Sequence, residues 1–203
     1  DLARSSDERP WMLTVSFTHP HDPYVARPEY WDRYDHDGID LPVVGALDPS
    51  TIDPHSRRLR AVSDMDAAAV TEAQIRNARH AYYANISYVD DWVGQIISTL
   101  TNCGMADDTV VIFTGDHGDM LGERGLWYKM TFFENACRVP MIVAGPGVVA
   151  GRTDAHASLV DVLPTLTELV GAPAPGATDG TSLLPLLAGD RTSSAVDRTV
   201  LGE

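Results

Sequence analysis

Apolar positions along the chain follow two different periods. Ile75, Ala78, Tyr82, Ile86, Val89, Val93, Ile96 and Leu100 recur at three- and four-residue spacing, which is the stripe of an amphipathic helix. Thr71 with Gln74 three residues later forms a capping box that starts it. Cys103-Gly104 ends it, because glycine takes the left-handed cap conformation without penalty. By contrast, Thr109-Val110-Val111-Ile112-Phe113-Thr114 is a continuous β-branched run of the kind buried on both faces of a parallel sheet. Trp11 to Phe17 after Pro10 reads as an earlier buried strand, and Met141 to Ala144 as a later one. A helix from about Asp161 to Val170, with Pro164 in its first turn and Gly171 as its stop, and a short one from Ser182 to Leu187 complete the pattern. Helices alternating with strands predict an α/β fold, a mostly parallel central sheet flanked by helices. Residues 28–66, rich in Pro, Asp and Arg, show little periodicity and predict an irregular excursion within one catalytic domain spanning 1–203.

Charge narrows the function classes. Fifteen basic against twenty-nine acidic side chains give a net charge of -14, and a nucleic-acid partner is excluded because phosphate binding needs clustered Lys and Arg. No apolar run reaches the roughly 20 residues of a membrane span, so no membrane partner is expected. Cys103 and Cys137 sit in no metal or redox spacing and read as structural; a cytoplasmic address is the expectation. One feature of the composition is unusual. The only lysine is Lys129, and every other basic side chain is arginine.

In open α/β sheets the ligand site lies outside the carboxyl ends of the strands, and two of those loops carry reactive groups. Gly115-Asp116-His117-Gly118-Asp119 places a carboxylate beside an imidazole, bracketed by glycines that permit a turn. An oxygen ligand next to a nitrogen ligand suits Ca²⁺ or Mn²⁺, with further carboxylates supplied elsewhere; the alternative is a solvated turn. On the loop after Phe17, two prolines flank His21 and forbid helix or ladder pairing, which presents its imidazole on a stiff segment. A histidine so placed can serve an anionic oxygen or a leaving group, although His19 competes for that role. Lys129 offers a compact charge able to approach a tetrahedral anion. Asp32, Asp35, Asp37 and Asp40 lack the glycine and terminal Glu of a calcium loop and are expected to be solvated.

Taken together, Phe17-Thr18-His19-Pro20-His21-Asp22-Pro23-Tyr24, Gly115 to Glu123, Arg138-Val139-Pro140-Met141 and Asp161-Val162-Leu163-Pro164-Thr165 resemble the type I sulfatases of the alkaline-phosphatase superfamily. The wording Gly122 to Met130, with Arg124 where many members have His, is most like the choline-sulfatase branch. The resemblance implies that Asp116 and His117 complete a divalent site, normally calcium. It further implies that His21 binds the ester and helps the leaving oxygen, that Lys129 binds the sulfate, and that the partner is a small-molecule sulfate ester. It also implies a formylglycine nucleophile made from Cys in Cys-x-Pro-x-Arg. Neither Cys103 nor Cys137 has that context, so the chain is expected to start after the nucleophile of a longer enzyme and to be inactive alone. The other readings are a phosphodiester or phosphonate monoester hydrolase of the same superfamily, and a non-catalytic anion-binding protein.

Overall fold

The computed structural model describes residues 9–173, 176–190 and 199–200. The chain divides into two compact units, one formed by residues 1–13, 100–116 and 140–203, the other by 14–99 and 117–139.

The second unit is organised on three helices, α1 (Pro28–Trp31), α2 (Pro54–Val62) and α3 (Glu72–Asn102), the last of which runs on past the unit. Asp53 caps α2 by accepting from the Ser56 amide at 2.9 Å, and Pro54 takes the first helical position, where its missing N–H costs nothing. The excursion of 28–66 is therefore not wholly irregular. α3 begins with the predicted box: the Thr71 amide donates to Gln74 Oε1 at 2.9 Å and the Gln74 amide to Thr71 Oγ1 at 3.3 Å. It ends where Gly104 turns left-handed, at φ 68°.

The buried face of α3 overlaps the predicted stripe only in part. His80, Ala81, Ala84, Asn85 and Val89 are buried, whereas Ile86 is exposed. Burial of a polar group is tolerated only when it is paired, and the excursion and the loop just before it supply the partners. His80 stacks on Trp31 at 3.6 Å between centroids, donates Nε2–H to the Trp31 carbonyl at 2.9 Å and meets His36 Nδ1 at 2.8 Å. Asn85 donates to the Val25 carbonyl at 2.9 Å. Asp40 is exposed, as expected, and also pairs with Arg79 and accepts from the Tyr83 hydroxyl at 2.9 Å. A small apolar core of Met120, Leu126 and Ala136, with Met65 and Phe133 against it, underlies the segment before α4 (Glu134–Cys137).

In the first unit β1 (Val111–Thr114) and β2 (Met141–Ala144) lie where the sequence predicts strands, but they pair antiparallel, Val111 opposite Ala144 and Thr114 opposite Met141. No parallel pair occurs among the described residues. Apolar continuity signals burial and carries no information about the direction of the neighbouring strand. Residues 11–17, predicted as a strand, have no ladder partner among the described residues, and Trp11, Met12, Leu13 and Val15 are exposed. Beyond β2, Gly145 is at φ 140°, and a Cβ there would sit 2.6 Å from the Thr109 carbonyl oxygen, so only glycine fits. α5 (Val162–Leu169) and α6 (Leu184–Leu187) match the two predicted helices. They are joined through Asp161, fully buried, which accepts from the amides of Ser158 at 2.7 Å and Thr181 at 2.9 Å.

Candidate active site

Four residues carry the predicted chemistry, and the structure brings three of them together. His21 sits in a turn closed by its own amide donating to the Thr18 carbonyl at 3.0 Å, between two cis X-Pro bonds. Its Nδ1 lies 2.9 Å from the Asp22 carbonyl and 3.0 Å from Asp22 Oδ1. Both are acceptors, so Nδ1 carries the ring proton and Nε2 keeps its lone pair. Lys129 Nζ donates to that Nε2 at 2.5 Å, across 108 residues of sequence. The ring of His117 stands edge-on to His21, 5.9 Å between centroids. His19, the competing histidine, lies instead against Tyr88 at 5.0 Å. Asp116 is exposed and ends the 100–116 segment of the other unit, just after β1.

His117 is held by its neighbours in a state suited to a ligand. Its Nδ1 donates to the Gly118 carbonyl at 2.7 Å, which makes Nε2 the lone-pair atom of the ring, the tautomer usual in a metal-binding imidazole. Gly118 is required for a reason the sequence did not reveal: a Cβ at this position would meet the Asn135 carbonyl oxygen at 2.0 Å, and the Gly118 amide donates to the Ala136 carbonyl at 2.7 Å. Among the described residues no cluster of three or more His, Cys, Asp or Glu could hold a metal ion. The two ligands predicted from the sequence, Asp116 and His117, are a carboxylate and an imidazole, donor types that divalent ions accept.

The sequence missed a pair beside this site. The Tyr24 hydroxyl donates to Asp119 Oδ2 at 2.8 Å, and the Leu121 amide to Asp119 Oδ1 at 2.9 Å. Burial, reinforced by the Asp119 charge, raises the Tyr24 phenol above its usual range, so it stays a donor. Burial also raises the Asp119 carboxyl, against the opposing hydrogen bonds from the Leu121 amide, Tyr24 and the Tyr128 amide. The only signal available was the repeated Asp in Gly-Asp-His-Gly-Asp.

Lys129 is presented on a segment of unusual backbone. Leu121, Arg124, Tyr128 and Met130 all have positive φ, 45° to 66°, a region that costs non-glycine residues about 1–3 kcal/mol each and persists only where surrounding bonds hold it.

The sulfatase family model matches residues 1–172. The chain is 50% identical over 194 residues, 93% of its length and 38% of the relative's, to choline-sulfatase of Rhizobium meliloti. Among solved structures it resembles a phosphonate monoester hydrolase from Silicibacter pomeroyi, with TM-score 0.78, 32% identity and cover of 86% of this chain and 37% of that one. It also resembles the phosphonate monoester hydrolase of Agrobacterium radiobacter, with TM-score 0.76, 26% identity, and cover of 93% and 40%. The chain therefore spans about two-fifths of the length of these relatives. With a family model over most of its residues and half its positions identical to a choline-sulfatase, the chain belongs to the sulfatase family of the alkaline-phosphatase superfamily.

Proposed function

We propose that the full-length protein hydrolyses a sulfuric ester, choline-O-sulfate, to choline and sulfate by a metal-assisted covalent route. The observation that carries the reading is the meeting of Lys129 Nζ with His21 Nε2: the only lysine of the chain is aimed at an imidazole held on a turn between two prolines. An ammonium has three rotatable donors and suits a tetrahedral anion. When the sulfuryl group enters, Lys129 turns its donors to the ester's non-bridging oxygens and releases Nε2. A proton taken up at Nε2 makes an imidazolium, which Asp22 Oδ1, 3.0 Å from Nδ1, stabilises. That proton is the one the departing alcohol oxygen needs as the S–O bond breaks. Asp116 and His117 are the residues that would hold the divalent ion, Ca²⁺ by the hardness of the carboxylate. When bound, it supplies Lewis-acid stabilisation of charge on the sulfuryl oxygens. The attacking oxygen comes from outside residues 1–203, so this span alone turns over no ester.

The test is steady-state kinetics of the full-length enzyme on choline sulfate and 4-nitrophenyl sulfate, with His21→Ala and Lys129→Ala as controls. Turnover of both esters, lost in both variants, supports the reading. Wild-type rates in either variant overturn it. The structural likeness to phosphonate monoester hydrolases favours a second reading, in which a phenyl phosphonate monoester is the better substrate by kcat/KM.

A further inference from the structure

The strained segment that carries Lys129 is fastened from outside itself, almost entirely by the excursion in which the sequence shows no function. Glu123 is buried, and its two carboxylate oxygens accept from the amides of Val43 at 3.0 Å and Val44 at 2.6 Å, while the Arg124 amide donates back to the Val44 carbonyl at 2.7 Å. On the far side of Lys129, His55 of α2 donates Nε2–H to the carbonyl of Met130, the next residue, at 2.7 Å. Between these points the carbonyl of Gly125 accepts from Arg60 at 2.7 Å. The backbone entering and leaving Lys129 is thus pinned at residue 123 and at residue 130, with Tyr128 and Met130 both left-handed between or at the pins.

We propose that Glu123 and His55 are positioning residues for Lys129: through the backbone of residues 123–130 they set Nζ against His21 Nε2, and so against the sulfuryl group. The inference rests on the function proposed above. Neither residue touches the reacting atoms. Their hold is specific, because a carboxylate that accepts two successive amides fixes both direction and distance of the attached chain. A left-handed non-glycine backbone relaxes when such ties are cut.

The experiment uses the full-length enzyme with Glu123→Gln, His55→Ala and His55→Gln, alone and on a Lys129→Met background. Glutamine at 123 keeps one acceptor and sets an NH₂ against the other amide. His55 is exposed, so its variants fold even if Glu123→Gln does not. Glu123→Gln and His55→Ala are expected to lower kcat about tenfold with KM within about a factor of two, since displacement of a positioned group by a fraction of an ångström acts on the transition state. His55→Gln, which can still donate to the Met130 carbonyl, restores the rate. On the Lys129→Met background neither substitution costs anything further. Independently of activity, the ¹⁵N signal of His21 Nε2, assigned by its loss in His21→Gln, moves in both variants toward its position in Lys129→Met. A His55→Ala enzyme with wild-type kcat and an unmoved His21 signal overturns the proposal, as does an equal loss with Lys129 present or absent. If Lys129→Met itself leaves turnover intact, the functional reading falls. The His21 signal then still decides positioning: a shared shift upholds it and an unmoved signal overturns it.

Discussion

Lys129→Arg keeps the charge and is expected to abolish most of the activity of the full-length enzyme. The guanidinium carbon takes the place of Nζ along the side chain, and its terminal nitrogens extend about 1.3 Å further. Nζ already stands 2.5 Å from His21 Nε2, so that extra reach cannot be accommodated, and the group must swing aside by about 1 Å. The backbone does not yield to absorb the change, because residues 123 and 130 are tied to Val43, Val44 and His55. A misplacement of about 1 Å costs roughly a hundredfold in rate, about 2.7 kcal/mol of barrier. The loss appears in kcat, since the charge Lys129 meets changes as the ester bond breaks while the alcohol end is bound elsewhere. Steady-state kinetics on choline sulfate is the assay, with a melting curve to show that the fold is intact, as a solvent-facing Lys→Arg change would leave both stability and turnover near wild type. A kcat within a factor of about three of wild type, roughly 0.7 kcal/mol, would refute the argument and remove Lys129 from the site.

In the full-length protein Asp116→Ala removes most Ca²⁺ binding in a calorimetric titration, whereas His117→Asn keeps much of it, because an amide oxygen is an acceptable ligand for a hard ion; unimpaired binding by Asp116→Ala would sink the assignment. Asp161→Ala strands the part-buried amides of Ser158 and Thr181 and should lower stability by about 2 kcal/mol, near the low end of the roughly 1–3 kcal/mol for each unmet donor, with Asp161→Asn losing about half as much; urea denaturation reads both. Burial opposes ionisation of Asp40, but the hydrogen bonds from Arg79 and Tyr83 outweigh it and hold the carboxyl below its ordinary value. The stabilisation from this depressed group is present above its unfolded pKa of about 3.9 and is lost as pH falls through the folded value. Asp40→Asn should therefore cost less than about 1 kcal/mol at pH 7, the Asp40 carboxylate being half exposed. The difference from wild type closes in acid, and a pH-independent gap in urea midpoints would contradict this.

What could be read from the sequence, and what could not, divides on whether a residue type carries its own signature. α3 was legible because its cap and its stripe are local, yet its buried face was legible only in part: a hydropathy pattern assigns His80 and Asn85 to solvent, and only Trp31 and the Val25 carbonyl, 49 and 60 residues away, make their burial acceptable. The strands at β1 and β2 were legible as apolar runs, while their antiparallel pairing was not, since pairing direction is decided by what lies alongside.

The same reasoning separates the two halves of the site. His21, His117 and Lys129 stand out as chemistry in turns, and Lys129 the more so because no other lysine exists in the chain. The apparatus that holds Lys129 uses Arg60 on a carbonyl, His55 on a carbonyl and Glu123 on two amides, and backbone partners leave no mark in a sequence. Nor do the left-handed residues announce themselves, because Leu121, Arg124, Tyr128 and Met130 are not the Gly, Asn or Asp that such a backbone favours. The composition that exposed Lys129 concealed Arg60 for the same reason: among fourteen arginines no single one is conspicuous. An excursion without periodicity is thus what a clamp looks like in one dimension. Those contacts each pair a side chain with a main-chain group at a fixed point, and the residues between those points are constrained mainly in length.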